Sequence, residues 1–127
     1  MIRSLIAVGI GAAIGAWGRW GLSLWLNSSH TLFPFGTLAA NLVGGYLIGL
    51  ALAWFAHCPG VPAEWRLFIV TGLLGGLTTF STFSAEVVQL LNRQDYWWAM
   101  AVMFAHLLGS FALTALGLVT FRLFRSI

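Results

Sequence analysis

Four long apolar runs, parted by short breaks dense in turn formers, constrain this 127-residue chain more than any motif in it. The breaks are Asn27-Ser-Ser-His30 ahead of Pro34, Cys58-Pro-Gly-Val-Pro62 and Asn92-Arg-Gln-Asp95. They leave segments near 3–26, 34–57, 65–91 and 96–122, and a span needs roughly 20 apolar residues to cross about 30 Å of hydrocarbon. A water-soluble surface cannot be made from this chain: only 7% of its residues are charged, against about 25% in an ordinary soluble domain. Its mean hydropathy is +0.92. In lipid every backbone polar group needs an internal partner, which leaves helices or a closed barrel, and the alternating pattern of barrel strands is missing. The expectation is an all-α integral membrane protein, a single four-span domain over 1–127. The opening MIRSLIAVGIGAAIGAW has the basic residue and apolar run of a signal sequence, but apolar character continues past Trp20 with no persuasive cleavage site. It reads as the first span.

Four spans place both termini on one side. All six basic residues are arginines. Arg3, Arg66, Arg122 and Arg125 fall on the terminal side, against Arg19 and Arg93 on the other, a weak bias under the rule that loop Lys and Arg favour the cytoplasm. That permits insertion either way round, hence an antiparallel pair, with uniform insertion as the alternative. The basic residues form no patch, so nucleic acid is not expected as a partner. The single cysteine, Cys58, reads as an inert loop thiol. Glycines recur four apart at Gly11 and Gly15, Gly45 and Gly49, Gly72 and Gly76, a spacing that lets membrane helices approach closely. Because four short spans enclose little interior, a homo-oligomer is expected if there is a pathway to line.

A polar group in hydrocarbon must find partners, so candidate functional residues are the polar ones inside the spans. The second span offers Thr37 and Asn41, one turn apart on one face. Asn41 carries two donors and an acceptor that its own helix cannot all satisfy, which points either to a bond between helices or to a ligand. The fourth span aligns His106, Ser110 and Thr114 at i, i+4 and i+8, a stripe able to line water, although a lone Ser or Thr commonly bonds the carbonyl one turn back. Arg19, between Trp17 and Trp20, either snorkels to the interface or draws anions into a vestibule. Glu86 either lines a pathway or ties its helix down.

The third span holds the most unusual phrase, Gly72-Leu-Leu-Gly-Gly-Leu-Thr-Thr-Phe-Ser-Thr-Phe-Ser84. Gly75-Gly76 followed by two β-branched threonines is poor helix material, and a break near Gly75–Thr79 would free carbonyls near the bilayer centre. Such oxygens suit a hard cation such as sodium, and the new helix N-terminus beyond the break favours an anion. Phe80 and Phe83 are three apart and therefore neighbours. Either they are packing surface, or they turn their positive ring edges to a dehydrated anion.

These residues resemble the Fluc (CrcB) family of microbial fluoride channels along nearly the whole chain. The resemblance lies in Gly18-Arg19, Asn41-Leu-Val-Gly-Gly45 and, above all, the run from Gly72 to Ser84 continuing to Ala85-Glu86. It implies an antiparallel dual-topology homodimer in the bacterial inner membrane, with two separate fluoride pores and a structural sodium ion at the dimer centre. The sodium would rest on backbone carbonyls matching Gly75 and Thr78. Phe80, Phe83 and Asn41 match the family's pore residues, and Ser110 and Thr114 its hydroxyl-lined track. The hydroxyls Ser81, Thr82 and Ser84 beyond the break, together with Thr37, Glu86 and His106, complete the expected anion pore; Arg19 would stand in its vestibule. His106 departs from the tyrosine of some relatives. The implied biology is fluoride resistance by passive export, without an enzyme's chemistry.

Other readings fit less well. A small multidrug resistance transporter shares the size and weak charge bias, but that family depends on a glutamate in its first span, and no acid occurs between Met1 and Pro59. Glycine packing and aromatic bulk would also suit a non-transporting assembly subunit. An enzyme is disfavoured, because no Ser-His-Asp grouping or metal-ligand cluster stands at a plausible spacing.

Overall fold

The computed structural model describes residues 1–27 and 33–126. Its elements are α1 (Ile2–Leu26), α2 (Phe35–His57), α3 (Ala63–Arg66), a π-helix π1 (Leu67–Leu74), α4 (Gly75–Leu77), α5 (Phe80–Asn92) and α6 (Tyr96–Arg125). No strand occurs among the described residues. Four helical stretches are long and apolar enough to cross a membrane: Ile2–Leu26, Phe35–His57, Ala63–Asn92 and Tyr96–Arg125. The expected spans agree with these to within three residues at each end. The His30 turn lies outside the described residues, but its flanks are tied together: the Gly36 N–H donates to Asn27 Oδ1 at 2.7 Å, so the end of α1 caps the start of α2.

Glycine decides which helices pair. α1 lies mainly against π1, and α2 mainly against α6. At the first contact a Cβ on Gly72 would stand 2.8 Å from Val8 O, and one on Gly11 would stand 2.8 Å from Leu73 N. Gly15 and Gly76 are equally close to the opposing backbones. At the second, a Cβ on Gly49 would meet Leu118 N at 3.0 Å, and one on Gly117 would meet Leu50 N at 2.9 Å. All three four-residue glycine spacings therefore sit at helix crossings, where small residues let dispersion contacts replace the hydrophobic drive that lipid does not supply. Two apolar clusters finish the interior. Phe83, Val87 and Leu90 of α5 pack with Ala99 and Val102 of α6, while Ala51 and Phe55 of α2 pack with Leu74. Large apolar side chains such as Ile2, Trp17, Trp97, Phe111 and Phe124 point outward, as a lipid-facing surface requires.

The third span is broken. π1 runs into a last turn at Gly75–Leu77, and the chain is then extended at Thr78 (φ −82°, ψ 155°) and Thr79 (φ −152°, ψ 121°) before α5 begins. The break expected near Gly75–Thr79 falls on the β-branched pair, and both glycines stay helical. Their part is different: Gly76 gives room to α1, and Gly75 is exposed with only Val70 O within 4 Å of a would-be Cβ.

Candidate functional site: a cleft at the helix break

An extended pair in the middle of a span strands backbone groups, and their new partners build the site. In a continuous helix the Thr79 N–H would go to Gly75 O; instead it donates to Asn41 Oδ1 at 2.7 Å. Asn41 Nδ2 returns a bond to Thr79 O at 3.1 Å. The Thr82 N–H, owed to Thr78 O, goes to Thr79 Oγ1 at 3.2 Å, the side-chain cap of α5. Arg19 Nε reaches Gly76 O at 3.2 Å. The Arg19 side chain is thus tied to the turn just before the break. The Gly75 and Thr78 carbonyls lose their helical donors, and Gly75 lies at the surface.

Beside the break lies a cleft of about 240 Å³ lined by Asn41, Thr78, Thr79, Phe80, Phe83, His106, Leu107, Ser110 and Phe111. A second cleft of about 260 Å³ shares Asn41, Thr78 and Ser110 with the first and has Gly75 in its lining. None of the described lining residues of either is charged. In the first, Phe80 and Phe83 meet edge to face, centroids 5.6 Å apart with planes at 67°. Their surroundings differ sharply: Phe80 is 74% exposed and Phe83 7%. Phe83 stacks on the imidazole of His106, centroids 4.6 Å apart. His106 Nδ1 lies 3.0 Å from Asn41 Nδ2, so all of the asparagine's amide is engaged between helices.

The expected site residues divide accordingly. Asn41, Phe80, Phe83, His106 and Ser110 share the first cleft, with Thr78. Thr37 and Glu86 form a pair of their own, Thr37 Oγ1 donating to Glu86 Oε1 at 2.5 Å, and Thr37 is almost fully buried. Glu86 therefore ties α5 to α2, while its Oε2 is buried without a partner among the described residues. Ser81 and Thr82 bond to Thr79 Oγ1 and stand outside the cleft lining, as do Ser84 and Thr114. Thr114 flanks Gly45 instead. In the α6 stripe the hydroxyls of Ser110 and Thr114 bond no other described residue, whereas Thr120 bonds back to Leu116 O at 2.8 Å. Thr79, Leu107 and Phe111 were not among the expected site residues. Thr79 is the chief of these, and a signal for it existed: the Asn41 amide needs both a donor and an acceptor from outside its own helix, and a peptide group released from a helix offers both.

Comparison with known proteins decides the family. The family model described as "CrcB-like protein, Camphor Resistance (CrcB)" matches residues 6–118. The chain belongs to the CrcB family. It is 60% identical over 121 residues to the "Fluoride-specific ion channel FluC" of Thiobacillus denitrificans, covering 95% of this chain and 98% of that one. It is 59% identical over 118 residues to the protein of that name from Cupriavidus pinatubonensis, covering 93% and 94%. With the Pseudomonas putida protein of that name it shares 54% over 121 residues, covering 95% of each. CrcB relatives are thus named as channels and not as enzymes. Four apolar helices in a CrcB protein make this a multi-pass protein of the bacterial inner membrane.

Proposed function

We propose that this chain is a passive, highly selective fluoride channel that exports cytoplasmic fluoride, working as an antiparallel homodimer with two pores and a structural sodium ion at its centre. The observation that carries the reading is the cleft at the helix break, whose lining offers ring edges, a histidine and a hydroxyl but no cation. Fluoride is small and strongly hydrated. A pore for it must replace much of the water shell with donors and yet hold the ion weakly enough to let it leave. Ser110 supplies an uncommitted hydroxyl, and the Phe80 and Phe83 edges supply weak positive potential. A fixed arginine in the same wall would hold the anion too tightly; Arg19 instead stands one helix away, on Gly76 O, where its charge raises the local anion concentration at the approach. In this reading Thr114, Ser81, Thr82 and Ser84 would extend the polar path beyond the cleft, and Thr37 and Glu86 would belong to it as well.

The sodium assignment rests on the donor set. Gly75 and Thr78 present carbonyls deprived of their helical N–H partners, and neutral oxygens suit a hard monovalent cation. Two carbonyls from one chain are too few. A two-fold axis through the exposed Gly75 doubles them to four and places the ion between subunits. The weak arginine bias permits the opposed insertion that such an axis in the membrane plane demands.

Export by this route needs no coupling. Hydrogen fluoride enters as the neutral acid, dissociates in the less acidic cytoplasm, and the trapped anion leaves through the pore. Purified protein in liposomes loaded with fluoride, read with a fluoride electrode and with chloride as comparison, tests the reading. Rapid fluoride efflux without chloride efflux is expected; no flux above protein-free liposomes would sink it.

A further inference from the structure

We infer that Asn41 is a positioning residue for His106: it fixes the imidazole as the Nε2–H tautomer, so that the buried ring offers the anion path a donor and not an acceptor. The orientation of the Asn41 amide is set by Thr79. A peptide N–H can only donate and a peptide carbonyl can only accept, so Oδ1 must face Thr79 N (2.7 Å) and Nδ2 must face Thr79 O (3.1 Å). The remaining Nδ2 hydrogen points at His106 Nδ1, 3.0 Å away. Nδ1 is therefore the acceptor, and a neutral imidazole then carries its proton on Nε2. That nitrogen is buried and has no partner among the described residues. His106 itself is 3% exposed, stacked under Phe83 in the wall of the cleft. An unmet donor at such a place suits an acceptor that arrives without its water. A dehydrated fluoride ion is such an acceptor, and this part of the inference rests on the channel reading. His57 provides the opposite case in the same molecule. Its Nδ1 lies 2.8 Å from Ala53 O, a carbonyl that only accepts, so there the proton sits on Nδ1.

Nitrogen-15 NMR of histidine-labelled protein tests this, with His30→Gln introduced so that two rings remain. The expected spectrum has a protonated Nε2 and an unprotonated Nδ1 for His106, the reverse for His57, and a saturable shift of the His106 Nε2 signal alone on adding fluoride. A proton on His106 Nδ1, or a ring averaging between tautomers, would overturn the inference whatever the flux. So would an Nε2 signal that fluoride leaves unmoved in protein that conducts fluoride. Absence of flux with the Nε2–H tautomer in place would sink the channel reading and leave the Asn41–His106 relationship standing. Asn41→Ala should bring out the second tautomer; if that variant does not fold, the spectrum of the His30→Gln protein still decides.

Discussion

Asn41 and Thr79 exchange two hydrogen bonds across the helix break, the amide of one matching the peptide of the other at 2.7 and 3.1 Å. The side chain thereby stands in for a missing turn of helix. This explains how a span can be interrupted in hydrocarbon with the Thr79 N–H and C=O still paired, and why the same asparagine also reaches His106.

Removing that clamp should damage stability and transport together. Asn41→Leu keeps bulk but leaves the Thr79 N–H and C=O unmatched, and each unsatisfied buried group costs about 1–3 kcal/mol. With two groups left unmet, we expect a loss of about 2–6 kcal/mol from unfolding in detergent, and fluoride efflux near background. A variant of full stability would mean that water supplies the bonds.

Glycine substitutions should separate the crossings from the outer surface. Gly76→Ala puts a methyl 2.5 Å from Ala12 O and 3.0 Å from Ala12 Cα, backbone that cannot step aside. Overpacking of this kind costs about 1–3 kcal/mol. Gly9, in α1, has nothing within 4 Å of the added carbon, and Gly9→Ala should be neutral or stabilising by about 0.5–1 kcal/mol. Thermal unfolding of the two variants side by side checks this.

Much of this was legible in the residues. The span limits follow from hydropathy and turn formers, and the glycine spacings marked real crossings because a four-residue repeat keeps one helix face small. The position of the break within Gly75–Thr79 was less legible. Both glycine and β-branched threonine are poor helix formers, and what settles the matter is tertiary: Asn41 offers Thr79 a partner and α1 needs Gly76 helical and bare. Neither the pairing of Thr37 with Glu86 nor the turn of Arg19 to Gly76 O could be read, since each joins residues 49 or 57 positions apart. Spacing gave Phe80 and Phe83 as neighbours, yet not that one is buried and the other open.

The Thr37–Glu86 pair should show its worth through the donor. Thr37→Val keeps the shape but removes the hydroxyl that bonds Glu86 Oε1 at 2.5 Å, leaving both carboxyl oxygens unmet. A loss of about 1–3 kcal/mol is expected. Glu86→Gln keeps an acceptor for Thr37 and should be milder. In a double-mutant cycle of Thr37→Val with Glu86→Ala, a coupling energy of about 0.5–3 kcal/mol is expected for contacting residues. A coupling of zero would deny the bond any part in holding α5 to α2.

Phe80 and Phe83 should part company when stability and transport are measured separately. Phe83 belongs to the α5–α6 cluster and stacks on His106, so Phe83→Ala opens a cavity. In a water-soluble core that change costs about 3–5 kcal/mol; in lipid the transfer term shrinks and the packing loss remains, so we expect about 1–3 kcal/mol. Phe80, 74% exposed, has few contacts to lose, and Phe80→Ala should unfold close to the parent protein. If the ring edge serves the ion and not the fold, fluoride efflux through Phe80→Ala should nonetheless fall at least tenfold, and Phe80→Ile combined with Phe83→Ile should abolish it. Retained efflux in that double variant would remove both rings from the pathway and leave the cleft's polar wall to account for selectivity alone.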